Sequence, residues 1–165
     1  MSFFLESLLL PCFFIFGSIV LTACSTAFLR LGKFKSKEFL RSPQGPFFFF
    51  FPVLRKFFPK QEWENLYFSL SLTKHIFQLA YAVTSFFYLV SAYPNLHSEL
   101  LHNTISDSDW GYLTAIGGCI IAISLLLDFL VRLIANLWSR PVIRCAAPFA
   151  SVVLLLLFPL VGLLL

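Results

Sequence analysis

The 165-residue chain is 59% hydrophobic, only 12% charged, and has a mean hydropathy of +0.86. An ordinary soluble domain carries about twice that share of charge, so the composition excludes one. The net charge of +4 is concentrated in one connection and calls for no nucleic-acid partner.

The first apolar stretch runs from Ser7 to Leu29 without a charge and ends on Leu21-Thr22-Ala23-Cys24-Ser25-Thr26-Ala27. About 20 apolar residues carry a helix across the ~30 Å hydrocarbon core. A first transmembrane helix is therefore expected over about 5–31. Leu21-Thr22-Ala23-Cys24 also fits a lipobox, which would make the chain a lipoprotein with lipid on Cys24. Against this, Met1 to Ser7 carries only Glu6 in place of a basic n-region, and the apolar run continues past Cys24.

Residues 32–64 form the next connection. Eight of the twelve basic residues lie between Arg30 and Lys60. Arg30 to Arg41 reads as a basic helix end against an anionic leaflet, and Ser42-Pro43-Gln44-Gly45-Pro46 as a turn cluster. From Phe47 to Lys60, phenylalanines alternate with Arg55, Lys56 and Lys60. This pattern predicts either an interfacial segment, with rings among acyl chains and bases on headgroups, or a hydrophobic linker packed on the bundle.

A second transmembrane helix is expected over 65–92, interrupted by Lys74, His75 and Gln78. The connection 93–109 has no basic residue and carries Glu99, Asp107 and Asp109. Its His97 and His102 are five apart, which a helix does not align, so a solvated loop is expected there instead of a metal site. A third transmembrane helix follows over 110–135, with Asp128 and Arg132 near its end, and then Arg140 and Arg144. The positive-inside rule puts the N-terminus outside and residues 30–65 and 132–144 in the cytoplasm. The last run, 145–165, is uncharged but contains Pro148 and Pro159. It is either a fourth span or a juxtamembrane helix at the inner interface. The expectation is thus an all-α, multi-pass protein of the inner membrane, a single domain of three transmembrane helices plus this C-terminal helix and an inner interfacial segment.

No Gly-rich phosphate loop, nucleophile elbow or dinucleotide fingerprint occurs, so no enzyme and no cofactor is expected. The four cysteines form no CxxC pair and read as small hydrophobes. The remaining chemistry lies at membrane depth, where ionisable side chains are costly and mark function by default. Thr22, Ser25 and Thr26 lie near the inner end of the first helix. Lys74 and Gln78, spaced i and i+4, share a face of the second with His75 beside them. Asp128 lies one turn before Arg132 on the third. Antiparallel neighbours would bring these groups to one level. They make either a cation path (Thr22, Ser25, Thr26, Gln78 and Asp128) or a structural Lys74–Asp128 pair that ties the helices together.

The motif order resembles the transmembrane domain of the cyclin-M (CNNM)/CorC family of magnesium transporters. The family's S-A-S-E-T-A-L in its first helix matches Thr22-Ala23-Cys24-Ser25-Thr26-Ala27-Phe28. Its G-N-N-L-V-N falls on Thr73-Lys74-His75-Ile76-Phe77-Gln78, and its G-E-I-L-P-K-T-x-A on the segment from Leu127 to Ala135, with Ala147-Pro148 following at the family's spacing. The resemblance implies three spans, a juxtamembrane helix, a homodimer in the lipid bilayer, and Mg²⁺ as transported ion. It also implies ligation by helix 1 hydroxyls and helix 2 amides near the helix 3 acid. Here Ser25 stands where the family has glutamate, Lys74 and His75 where it has asparagines, and Val131-Arg132 where it has Pro-Lys. The family's cytoplasmic CBS-domain pair has no counterpart within these residues. Mg²⁺ takes oxygen ligands in a compact octahedron, and an ammonium supplies none. The expectations that follow are divalent-cation transport or a diverged, inactive relative, with a non-transporting membrane scaffold as the alternative.

Overall fold

The computed structural model describes the backbone of residues 2–41, 48–57, 61–92 and 107–164, and the side chains of 9–41, 48–57, 61–90 and 110–159. These residues form six helices and no strand: α1 (Ser2–Leu31), α2 (Lys33–Arg41), α3 (Phe50–Phe57), α4 (Glu62–Ala92), α5 (Asp107–Leu137) and α6 (Ser139–Leu164). The expected turn cluster at 42–46 and the histidines of the outer connection lie outside the described residues.

Three helices are long and apolar enough to cross a membrane, through Leu9–Leu31, Trp110–Leu137 and Ser139–Pro159. The chain is a multi-pass membrane protein. α4 has the length of a span, about 46 Å at 1.5 Å per residue. Its interior is more polar, with Thr73, Lys74, His75 and Gln78 in sequence. α6 begins at Ser139, six residues before the uncharged run, because Trp138 alone separates it from α5. It continues through Pro148 and Pro159, as α1 continues through Pro11. Prolines are tolerated inside membrane helices where neighbouring groups satisfy the freed carbonyls.

α1 is the hub, packing against α4, α5 and α6. Its Leu21, Cys24, Ala27 and Phe28 are buried against Leu66, Leu70 and Phe77 of α4 and Ala146, Ala147, Ala150 and Leu154 of α6. Small residues at that face let α6 approach closely, which is how helices associate where lipid removes the hydrophobic drive. Cys24 is thus a fully buried member of the core inside an unbroken helix. Gly17 is another close approach, since a Cβ there would lie 2.2 Å from the Phe77 ring.

Gly32 ends α1 with φ +76°, a left-handed conformation open to glycine at no steric cost. The turn is completed by Gly32 N–H donating to Phe28 O at 3.1 Å and Ser36 Oγ donating to the same carbonyl at 3.2 Å. This folds α2 back onto the start of α4. There Glu62, buried in the first turn, accepts from Lys37 Nζ at 2.7 Å and Arg41 Nη2 at 3.2 Å, and Lys33 pairs with Glu64. Phe28 makes edge-to-face contacts with Phe48 and Trp63, the preferred geometry for ring quadrupoles. α3 buries Phe50, Phe51 and Leu54 and leaves Pro52, Arg55, Lys56 and Phe57 exposed. It is packed on the bundle, as one of the two expectations has it, with its basic residues on the exposed side.

α6 meets the short helices near both of its ends. The Arg144 guanidinium lies 5.7 Å from the centre of the Phe39 ring on α2. Phe158, fourteen residues on, packs against Phe50 and Phe57 of α3. Between them Phe149 packs on Phe16 of α1. α5 is peripheral: only 11% of its span is buried, against 44% for α1. Apart from the face that carries Asp128 and Arg132, its largely uncovered apolar surface is suited to lipid contact.

Candidate functional site: a three-helix polar cluster

The chemistry gathers at Asp128. α5 carries its carboxylate to the junction of α1 and α4. Thr22 Oγ1 donates to Asp128 Oδ1 at 2.8 Å, and Lys74 Nζ lies 3.1 Å from the same oxygen. Arg132 Nε, one turn further along α5, donates to Oδ2 at 2.8 Å. Each helix is fitted locally for its part. On α4 the buried positions Leu66, Leu70, Thr73, Lys74, Phe77 and Tyr81 recur at three- and four-residue intervals, a stripe that faces α1. On α5 the i, i+4 spacing puts Arg132 directly over Asp128.

The members differ in burial. Thr22 is 1% exposed and Lys74 8%. The Asp128 side chain is 16% exposed and that of Arg132 52%. A buried charge persists only if paired and hydrogen-bonded, because removal from water costs several kcal/mol per ion. Asp128 meets that condition with three donors on two oxygens. The formal sum of the cluster is one negative against two positive charges.

The structure therefore joins Thr22, Lys74, Asp128 and Arg132 and leaves the other expected residues aside. Ser25 is buried, but its hydroxyl donates to Thr22 O at 3.0 Å, within its own helix. Thr26 and Gln78 are half-buried, and no hydrogen bond among the described residues joins either to Asp128. His75 is exposed, and its Nδ1 lies 2.6 Å from Ser71 O one turn earlier on α4. Lys74 and His75 are thus separated by the helical step of about 100°, one inward and one outward. Among the described residues no three of His, Cys, Asp and Glu come together as a metal-holding group.

Two features escape a reading of motifs. Thr73 Oγ1 and Ser151 Oγ are fully buried and have no hydrogen-bond partner. Thr73 falls on the inward stripe of α4, next to Lys74. The Glu62 clasp with Lys37 and Arg41 had no such signal, because the turn that joins these residues is set by Gly32 and by tertiary packing. Hydrogen bonding and charge from Lys37 hold the Glu62 carboxyl below its ordinary range, against the opposing effect of burial.

Neither the family models, nor the curated proteins, nor the solved structures compared with this chain give a match.

Proposed function

We propose that the chain is a membrane helix bundle of the cyclin-M/CorC type in which the cation route is closed by the protein's own lysine, so that it serves as a non-transporting scaffold in the bilayer. One observation carries this reading. The carboxylate that the resemblance assigns to the cation path accepts from Thr22, Lys74 and Arg132 at once.

The electrostatics favour closure. A unit charge about 4 Å from a dication acts on it with about 8 kcal/mol at an effective permittivity of ~20. Repulsion from Lys74 offsets attraction to Asp128, and the second cation, Arg132, adds to the opposition. The donor set points the same way. Mg²⁺ dehydrates reluctantly and takes oxygens in near-ideal octahedral geometry, whereas the Ser25 hydroxyl is committed to its own helix and Lys74 contributes none. The contacts of α6 with α2 and α3 near both ends support its placement as a juxtamembrane helix. The charge asymmetry between the connections supports a cytoplasmic location for α2 and α3 in the inner membrane.

The test is Mg²⁺ entry into liposomes carrying the purified protein and a trapped indicator. Influx equal to that of protein-free liposomes is expected. Thermal stability measured alongside should not respond to sub-millimolar Mg²⁺, whereas Lys74→Asn with His75→Asn should gain a Mg²⁺-dependent stabilisation. Influx several-fold above the protein-free control refutes the proposal. So does stabilisation of the wild type by Mg²⁺ that monovalent salt of equal ionic strength does not reproduce.

A further inference from the structure

Once the ion pairs are assigned, a distinct set of cations remains. Lys33 is taken by Glu64, Lys37 and Arg41 by Glu62, and Lys74 and Arg132 by Asp128. Arg30, Lys35, Arg55, Lys56, Arg140 and Arg144 are exposed and have no carboxylate partner among the described residues, and of these Arg144 lies over the Phe39 ring. Lys35, Arg55, Lys56 and Arg140 each lie within two residues of an exposed aromatic ring in the sequence. Phe34, 87% exposed, precedes Lys35; Phe57, 60% exposed, follows Arg55 and Lys56; Trp138, 63% exposed, lies two residues before Arg140. A phenylalanine so uncovered is unfavourable in water but is accommodated at the boundary of headgroups and acyl chains.

The three helices that carry these bases are linked through α6. Arg144 on the Phe39 ring ties the start of α6 to α2, and Phe158 against Phe57 ties its far end to α3. Positive-inside topology accounts for bases at this end of the bundle. It does not account for an exposed ring within two residues of unpaired bases on three different helices. That repetition is the arrangement a lipid needs, with a ring for the upper acyl chain and a cation for the phosphate. The charge is complementary to an anionic headgroup, whereas a zwitterionic headgroup brings no net charge to offset these cations.

We propose that α2, α3 and the start of α6 form a platform that selects anionic phospholipid headgroups from the surrounding bilayer through Lys35, Arg55, Lys56 and Arg140. The proposal stands independently of whether the chain moves ions. A basic residue near an anionic surface is worth about a fivefold preference, the equivalent of ~1 kcal/mol. The four together therefore enrich an anionic lipid measurably over its share in the bilayer.

The experiment uses the full chain in nanodiscs of equal parts phosphatidylglycerol and phosphatidylethanolamine, followed by gentle extraction and quantification of co-purified lipid. Phosphatidylglycerol is expected to exceed phosphatidylethanolamine by about fivefold or more. Lys35→Gln combined with Arg55→Gln and Lys56→Gln should lower that ratio severalfold, leaving only the share that Arg140 supplies. If that triple variant does not fold, the wild type extracted at raised salt replaces it, and the ratio should fall there because exposed charges are screened. Lipids retained in the proportions of the bilayer overturn the proposal, as does a ratio unchanged by the triple substitution or by salt. Displacement of phosphatidylglycerol by millimolar inorganic phosphate also overturns it, since it would mark a site for a soluble anion.

Discussion

Replacing Lys74 by Met removes the ammonium 3.1 Å from Asp128 while keeping most of the side-chain volume. Breaking a buried pair by removing one partner ordinarily costs about 3–5 kcal/mol, because the other charge is left uncompensated. Here the loss is smaller. Asp128 keeps the Thr22 hydroxyl and Arg132, although Arg132 is half exposed and so is screened by solvent. About 2–3 kcal/mol is therefore expected for Lys74→Met, as a reduction of that full penalty. Asp128→Asn should cost more, about 3–5 kcal/mol, because Lys74 is more deeply buried than Asp128 and keeps no counter-charge. In the double variant neither charge is stranded, so the combined loss should fall short of the sum by about 1–3 kcal/mol. The assay is reversible unfolding of all four proteins in mixed micelles titrated with a denaturing detergent. Losses that add to within about 0.5 kcal/mol would show that the two side chains are energetically independent and would refute the reasoning.

Gly17→Ala should destabilise the bundle by about 1–3 kcal/mol, since the added methyl overlaps the Phe77 ring and forces a core side chain from its position. The loss measured by thermal melting should shrink in a Phe77→Leu background, and an unchanged loss would place the strain elsewhere. Glu62 titrates below the ordinary value of 4.5 in the folded protein because Lys37 and Arg41 favour its charged form. Its contribution is therefore complete above that value and is lost as the pH falls through the lower folded one. Glu62→Gln should remove that acid-side loss from the melting temperature, and an identical pH profile in both proteins would contradict it. A single cysteine at Ser98 should react with an impermeant reagent on intact cells, because the connection that carries it has no basic residue. Labelling only after permeabilisation would invert the topology.

Composition and hydropathy by themselves determined that the chain is an all-helical membrane protein, because backbone groups in hydrocarbon must be satisfied within the segment that carries them. The expensive residues were equally legible. Lys74, Asp128 and Arg132 are charges inside apolar runs, and their occurrence near the same ends of successive helices predicted a meeting. Helical spacing put Lys74 and Gln78 on one face with His75 beside them, yet did not tell which of these side chains faces inward. That depends on the rotation of α4 about its axis, which is set by packing Leu66, Leu70 and Phe77 on α1. Sequence spacing grouped Ser25, Thr26 and Gln78 with the cluster. Only tertiary structure decided that the Ser25 hydroxyl turns to its own backbone and that Thr22 is the one to reach Asp128. The course of α6 was open for the same kind of reason. An uncharged 21-residue run fits a span and an interfacial helix alike, and the contacts of Arg144 and Phe158 with α2 and α3 come from residues more than 95 positions apart in the chain. Hydropathy reads the solvent that each segment prefers. The neighbour each side chain meets is fixed by helix rotation and close packing, which local sequence does not encode.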